Sequence, residues 1–172
     1  MTRELLLMRH AKSDWPPDVA DFNRPLTKRG RADSQKMADW LQAQQLLPEL
    51  VIASTAARAA ETCQLLCARL ELPPTRLRWE PRIYEATPTT LLTRLHTTPS
   101  SCRRLLLIGH NPGLEQLLLT RAQDQIAMRA DGKLMTTAAI ARIQLDCDWS
   151  EVRAKCGRLI TLVRPKEIEQ DS

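Results

Sequence analysis

Short apolar runs alternate with stretches of helical periodicity along this chain, and that alternation limits the folds open to it. Near-continuous apolar runs lie at Glu4–Met8, Leu50–Ala53, Leu105–Ile108 and Leu159–Val163. Each has the length of a strand buried on both faces. A fifth segment, Ala138–Leu145, alternates in part and suits a strand with one wetter face. Thr27 caps a helix expected from about Lys28 to Gln45, with Met37, Trp40 and Leu41 among its buried positions. A second helix is expected from about Ala57 to Leu70, burying Ala59, Thr62, Cys63, Leu66 and Leu70. Thr87 before Pro88, and Asn111 before Pro112, read as caps of two further helices. Strand and helix in alternation imply an α/β fold: a mainly parallel central sheet with helices on both faces, closed by a hairpin over Ala138–Val163.

The 172 residues suit one domain, 1–172, and are enough to bury a core without metal or disulfide staples. The last few residues are expected to form a disordered tail. No apolar run reaches the roughly 18 residues of a membrane span. The N-terminal apolar run is too short for a secretory signal, so the expected location is the cytoplasm, away from membranes. The five cysteines are odd in number and match no disulfide framework. Cys63 and Cys67 share a helical face and read as core residues rather than metal ligands.

Two strands end alike. "LLLMRH" closes on Arg9 and His10, and "LLLIGH" closes on His110. Ligands of open α/β sheets gather at the carboxyl ends of strands. If these two strands are parallel neighbours, their histidines face one pocket. A third run, "LVIASTAARAAET", leaves its strand and enters a helix with Arg58 in the first turn. Guanidinium groups and the free N–H groups of a helix start favour an anion. Arg9, His10, Arg58 and His110 therefore form a candidate phosphoryl site, because guanidinium forks match phosphoryl oxygens. The third histidine, His96, reads as an exposed helix end.

The same segments resemble the histidine phosphatase superfamily, with its phosphoglycerate mutase-like fold, and most closely its SixA-type phosphohistidine phosphatases. The resemblance is carried by "MRHAKSDW", "DFNRPLTKRG", "ASTAARAAET", "IYEATPTTLL", "IGHNPGLEQL", "TTAAIARIQL" and "GRLITLVRP" in this order. It implies that His10 is a nucleophile that becomes phosphorylated, and that Arg9, Arg58 and His110 hold the phosphoryl oxygens. It implies no metal or other cofactor. Glu85, in "IYEATP", reads as a strand end followed by a capped helix, and sits near where many superfamily members carry an acidic proton donor. Arg24, Lys12 and Ser13 are candidate substrate contacts, and Trp15 is another. Tyr84 reads as a packing residue.

A histidine nucleophile must be neutral, and Arg9 and Arg58 are expected to push His10 that way. A protonated His110 is expected to share the charge of the transferring phosphoryl. The substrate implied is a phosphohistidine on a protein, such as a phosphorelay domain or phosphocarrier, met by a monomer. Two other functions fit the residues: a phosphomonoesterase for a sugar phosphate or nucleotide, and a non-catalytic phosphate- or nucleic-acid-binding module. The net charge of +5 permits the last. The dispersed basic residues and only six aromatic side chains argue against nucleic acid.

Overall fold

Strands β1 (Arg3–Arg9) and β4 (Arg104–Gly109) pair in parallel at the centre of a six-stranded sheet in the computed structural model, which describes residues 2–168. The remaining strands are β2 (Leu50–Ala53), β3 (Leu77–Trp79), β5 (Ile140–Leu145) and β6 (Gly157–Val163), in the order β3-β2-β4-β1-β5-β6. The first four in that order are mutually parallel; β5 runs antiparallel to β1, and β6 antiparallel to β5. This is a single-domain α/β fold with the expected closing hairpin. The expected C-terminal tail lies outside the described residues.

The helices are α1 (Lys28–Ala43), α2 (Ala57–Arg69), α3 (Pro88–His96) and α4 (Gly113–Arg121). The period-two geometry of β1 divides its side chains between two cores. Leu6 and Met8 join the α1–α2 side with Met37, Leu41, Cys63 and Leu66. Leu5 and Leu7 join the α3–α4 side with Leu91, Leu95, Leu114 and Leu117. All four β1 side chains are fully buried, so truncating one to alanine should cost about 2–5 kcal/mol. Trp40 is half-buried at the margin of the first core. Among the described residues, no helix is long and apolar enough to cross a membrane.

Sequence and structure part company at three places that bear on the site. β3 has no apolar run to announce it: its residues, Leu77, Arg78 and Trp79, are half-buried or exposed at the sheet edge. Asn111 does not cap α4, because Pro112 occupies that position. The Asn111 amide instead donates to Glu115 Oε1 at 3.0 Å and to the Met135 carbonyl at 2.9 Å. Glu85 follows a 3-10 turn over Pro81–Ile83 rather than a strand, and its φ is +55°.

Two glycines let loops press against helix starts beside the site. A Cβ at Gly30 would lie 2.2 Å from the Lys12 carbonyl oxygen. At Gly113 it would lie 2.5 Å from that of Ala86. Glycine is required where a backbone approaches this closely.

Candidate active site

The β1–β4 register pairs Arg9 with Gly109, so the residues that follow, His10 and His110, emerge side by side. The His10 N–H donates to the Gly109 carbonyl at 3.0 Å, and the imidazole centroids are 5.1 Å apart. Both histidines are buried, as are Arg24 and Arg58. Arg9, His10, Lys12, Ser13, Trp15, Arg24, Arg58 and His110 line one 280 Å³ cavity. The four residues expected to meet therefore do so, and the weaker candidates Arg24, Lys12 and Ser13 join them.

The His10 ring has a defined tautomer. Nδ1 lies 2.8 Å from the Ala11 carbonyl oxygen, which can only accept, so Nδ1 carries the proton. Nε2 then presents a lone pair, and Arg58 Nε–H donates to it at 3.3 Å. Thr62 holds this arrangement from behind: its hydroxyl accepts from Ala11 N at 3.0 Å and donates to the Arg58 carbonyl at 2.7 Å.

The pKa of His10 is lowered to about 3, with burial the foremost cause, followed by repulsion from His110, Arg9 and Arg58. Arg9 and Arg58 thus push His10 toward neutral as expected, with burial contributing more than either. His110 is lowered to about 4, again chiefly by burial and then by Arg58, so it is neutral near pH 7 rather than protonated. Its Nε2 lies 2.8 Å from Ser54 Oγ. Its buried Nδ1 has no partner among the described residues, and neither has the buried Nε of Arg9. Burial also lowers the pKa of Arg9, while NH1 donates to the Met135 carbonyl at 3.2 Å.

Sequence reasoning passed over Asp21, which organises the guanidinium groups. Its carboxylate accepts from Arg24 Nε at 3.0 Å, from Arg58 NH2 at 3.1 Å and from the Tyr84 hydroxyl at 2.5 Å. Its backbone carbonyl accepts from Arg58 NH1 at 2.7 Å. The Tyr84 hydrogen bond, with the two arginines, holds the carboxyl at about 2 although the side chain is half-exposed. The signal was present in "DFNR", an acid three residues before Arg24. The non-local partners, Arg58 and Tyr84, gave no such signal. Tyr84 is thus a wall of the site as well as a packing residue: its ring stands edge-on to His110 and to the half-exposed Phe22.

Arg24 also donates to Ser13 Oγ at 2.8 Å and stacks 3.5 Å above the ring of the exposed Trp15. Glu85 does not enter the 280 Å³ cavity. It is exposed on a neighbouring 420 Å³ cleft with Asp21, Arg58, Tyr84, His110 and Gln116. His96 is the exposed helix end expected, with Nε2 2.9 Å from the Val152 carbonyl. A neutral imidazole with an aimed lone pair, ringed by guanidinium groups, can attack an electrophilic centre that carries negative oxygens.

Comparison with known proteins finds chains of similar sequence and fold. The profile of the Histidine phosphatase superfamily (branch 1) matches residues 5–86. An uncharacterised chloroplastic protein of Arabidopsis thaliana is 31% identical over 167 residues, which cover 91% of this chain and 73% of the relative. The protein histidine phosphatase SixA, solved with tungstate, superimposes with a TM-score of 0.81 at 24% identity, covering 96% of this chain and 99% of that one. A protein of Agrobacterium tumefaciens assigned as phosphohistidine phosphatase SixA gives 0.75 at 26% identity, covering 95% and 99%. A mycobacterial glucosyl-3-phosphoglycerate phosphatase gives 0.67 at 16% identity, covering 94% and 98%.

Proposed function

The chain belongs to the histidine phosphatase superfamily, and from that premise we propose that it hydrolyses phosphohistidine on a protein through a covalent phosphohistidine intermediate on His10. The observation that carries this reading is the tautomer of His10: Nδ1–H donates to the Ala11 carbonyl, and Nε2 keeps its lone pair, held by Arg58 Nε–H until phosphorus takes its place. In the first step Nε2 of His10 attacks phosphorus. The bond from phosphorus to the substrate imidazole breaks, and its electron pair returns to the leaving nitrogen. In the second step water attacks the phosphoryl group on His10. The P–N bond breaks toward Nε2, and inorganic phosphate departs with the protons of the water.

Arg9, Arg58 and His110 hold the phosphoryl oxygens. The unpartnered Nε of Arg9 and Nδ1 of His110 support that assignment, since buried polar atoms without partners are costly and a phosphoryl oxygen satisfies them. An arriving phosphoryl dianion draws the His110 pKa back upward. Arg24 and Ser13 brace one wall, and Lys12 meets the anion at the mouth. The chemistry assigned to the site uses these side chains without a metal, and the protein acts as a soluble cytoplasmic monomer.

The likeness to SixA structures supports a phosphohistidine substrate. The exposed mouth, where Trp15 and Phe22 stand in solvent, suits a protein surface. A second reading, phosphomonoesterase activity, is favoured by the position of Glu85 on the adjoining cleft and by the fold shared with a sugar-phosphate phosphatase. An alkoxide leaving group needs a general acid worth about 10²–10⁴-fold, whereas an imidazole that keeps its other proton leaves neutral.

Competition among a phosphohistidine protein, a phosphoserine peptide and alkyl phosphate esters tests the two readings. Preference for phosphohistidine, unaltered by Glu85→Gln, supports the first. Preference for an ester, lost in Glu85→Gln, replaces it with the second. Rapid quench should trap acid-labile, base-stable phosphate on His10, and label on another residue rejects the intermediate.

A further inference from the structure

The phosphoryl cavity is bordered by a second cleft of 490 Å³, with which it shares Arg9, Lys12 and Thr137. Lys133 and Thr136 line this cleft and not the cavity that holds His10. Its lining holds three cations and one carboxylate, Glu115. Oε1 of Glu115 is already engaged by Asn111 Nδ2 at 3.0 Å and by Met135 N at 2.9 Å. The loop bearing Lys133 is pinned from beneath by Arg164, which is 1% exposed. Arg164 donates to the Lys133 carbonyl, to the Leu134 carbonyl at 3.3 Å and to Asp131 Oδ2 at 2.9 Å. The nearby acid Asp131 is thus spent on Arg164 and, at 3.4 Å, on Lys166.

The rim where the pocket shares Arg58, His110 and Asn111 with another cleft has the reverse character. There the 420 Å³ cleft carries Asp21 and Glu85, with Arg58 tied to Asp21. The two clefts that border the phosphoryl pocket therefore differ in charge, one positive with Lys12 and Lys133 and the other negative with Glu85. Such a difference orients a bound chain more than it tightens binding.

We propose that the cleft lined by Arg9, Lys12, Lys133 and Thr136 is a second anion subsite, which takes an acidic side chain lying on one side of the phosphohistidine in the substrate protein. This rests on the phosphohistidine reading above and adds a polarity to it. The volume lies within the range of small-ligand sites, about 300–1,000 Å³, and admits a glutamate side chain with its backbone. Thr136 and Thr137 add hydroxyl donors for the carboxylate.

Two phosphohistidine peptides of the same composition and net charge provide the test, one with glutamate before and lysine after the phosphohistidine, the other reversed. Their equal net charge cancels any general attraction to a basic protein. Wild type should hydrolyse one order at least about tenfold better in kcat/KM, and the advantage should shrink as salt is raised. Lys133→Glu should abolish or invert the preference. Equal rates on both peptides would overturn the subsite while leaving the phosphohistidine reading standing. A preference that survives Lys133→Glu unchanged would overturn it too. Hydrolysis of an alkyl phosphate but of neither peptide would reject both proposals together.

Discussion

Arg58 points its Nε–H at Nε2 of His10 across 3.3 Å, while NH1 and NH2 of the same guanidinium are bound to Asp21. The fork is therefore aimed before substrate arrives. A group preorganised in this way pays no reorganisation cost when charge moves through the pocket.

Arg58→Lys should lose most of the activity. An ammonium is a point charge and cannot meet His10 and Asp21 together through a planar fork. The expected loss in kcat is about 10²–10³-fold, the scale of removing one preorganised donor. Steady-state kinetics on a phosphohistidine protein checks this, and a variant within threefold of wild type places Arg58 outside the reaction.

Asp21 is expected to act as a positioning residue. Asp21→Asn keeps the shape but weakens the holds on Arg24, Arg58 and Tyr84, so kcat should fall about tenfold or more with a smaller change in KM. Tyr84→Phe removes one of the hydrogen bonds to the same carboxylate and should cost less. The double variant should lose less than the product of the single losses, because the two side chains share one network. Multiplicative effects would show that they act separately.

The depressed histidine pKa values tie stability to pH. His10 and His110 titrate at about 3 and about 4 in the fold, against roughly 6.5 in an unfolded chain. Below pH 6.5 the unfolded chain therefore takes up protons that the native protein refuses. Their contribution is fully present above about pH 6.5 and is lost progressively as pH falls, toward about 4 for His110 and about 3 for His10. Between pH 7 and 5 each should cost about 1–2 kcal/mol. Urea unfolding at both pH values measures the drop, which should be smaller in His110→Asn.

Gly30→Ala should damage the site from a distance. Its Cβ has no room beside the Lys12 carbonyl oxygen, which also accepts from Thr27 N at 2.9 Å. Either α1 or the Lys12–Ser13 loop must shift. We expect a loss of more than 1 kcal/mol in stability and a raised KM, read by thermal unfolding and kinetics on the same preparation.

The sequence carried the central architecture because its strongest patterns are local. β1 and β4 have continuous apolar centres, Leu5–Met8 and Leu105–Ile108, and each strand is followed at once by a histidine, which placed His10 and His110 together. Thr27 and Thr87 cap their helices as their spacing implies, accepting from Gly30 N at 3.0 Å and Thr90 N at 3.3 Å. What escaped was non-local or weakly patterned. β3 is short and lies at an edge. Asn111 forgoes a local cap for a bond to Met135, 24 residues away. Asp21 gains its meaning from Arg58 and Tyr84, 37 and 63 residues away. The foremost cause of the His10 shift is burial, a property of the packed fold that a list of charged neighbours does not reveal.

The join between sheet and pocket has a consequence for how the protein fails. His10 follows β1 and His110 follows β4 with no intervening segment, and these are the two innermost strands. The pocket therefore inherits the most protected part of the backbone, where local opening approaches the cost of global unfolding. Partial loosening of the edges, at β3 or β6, leaves the histidine pair assembled. Activity in denaturant should persist until the centre of the sheet gives way and then vanish in the same transition as the slowest-exchanging amides.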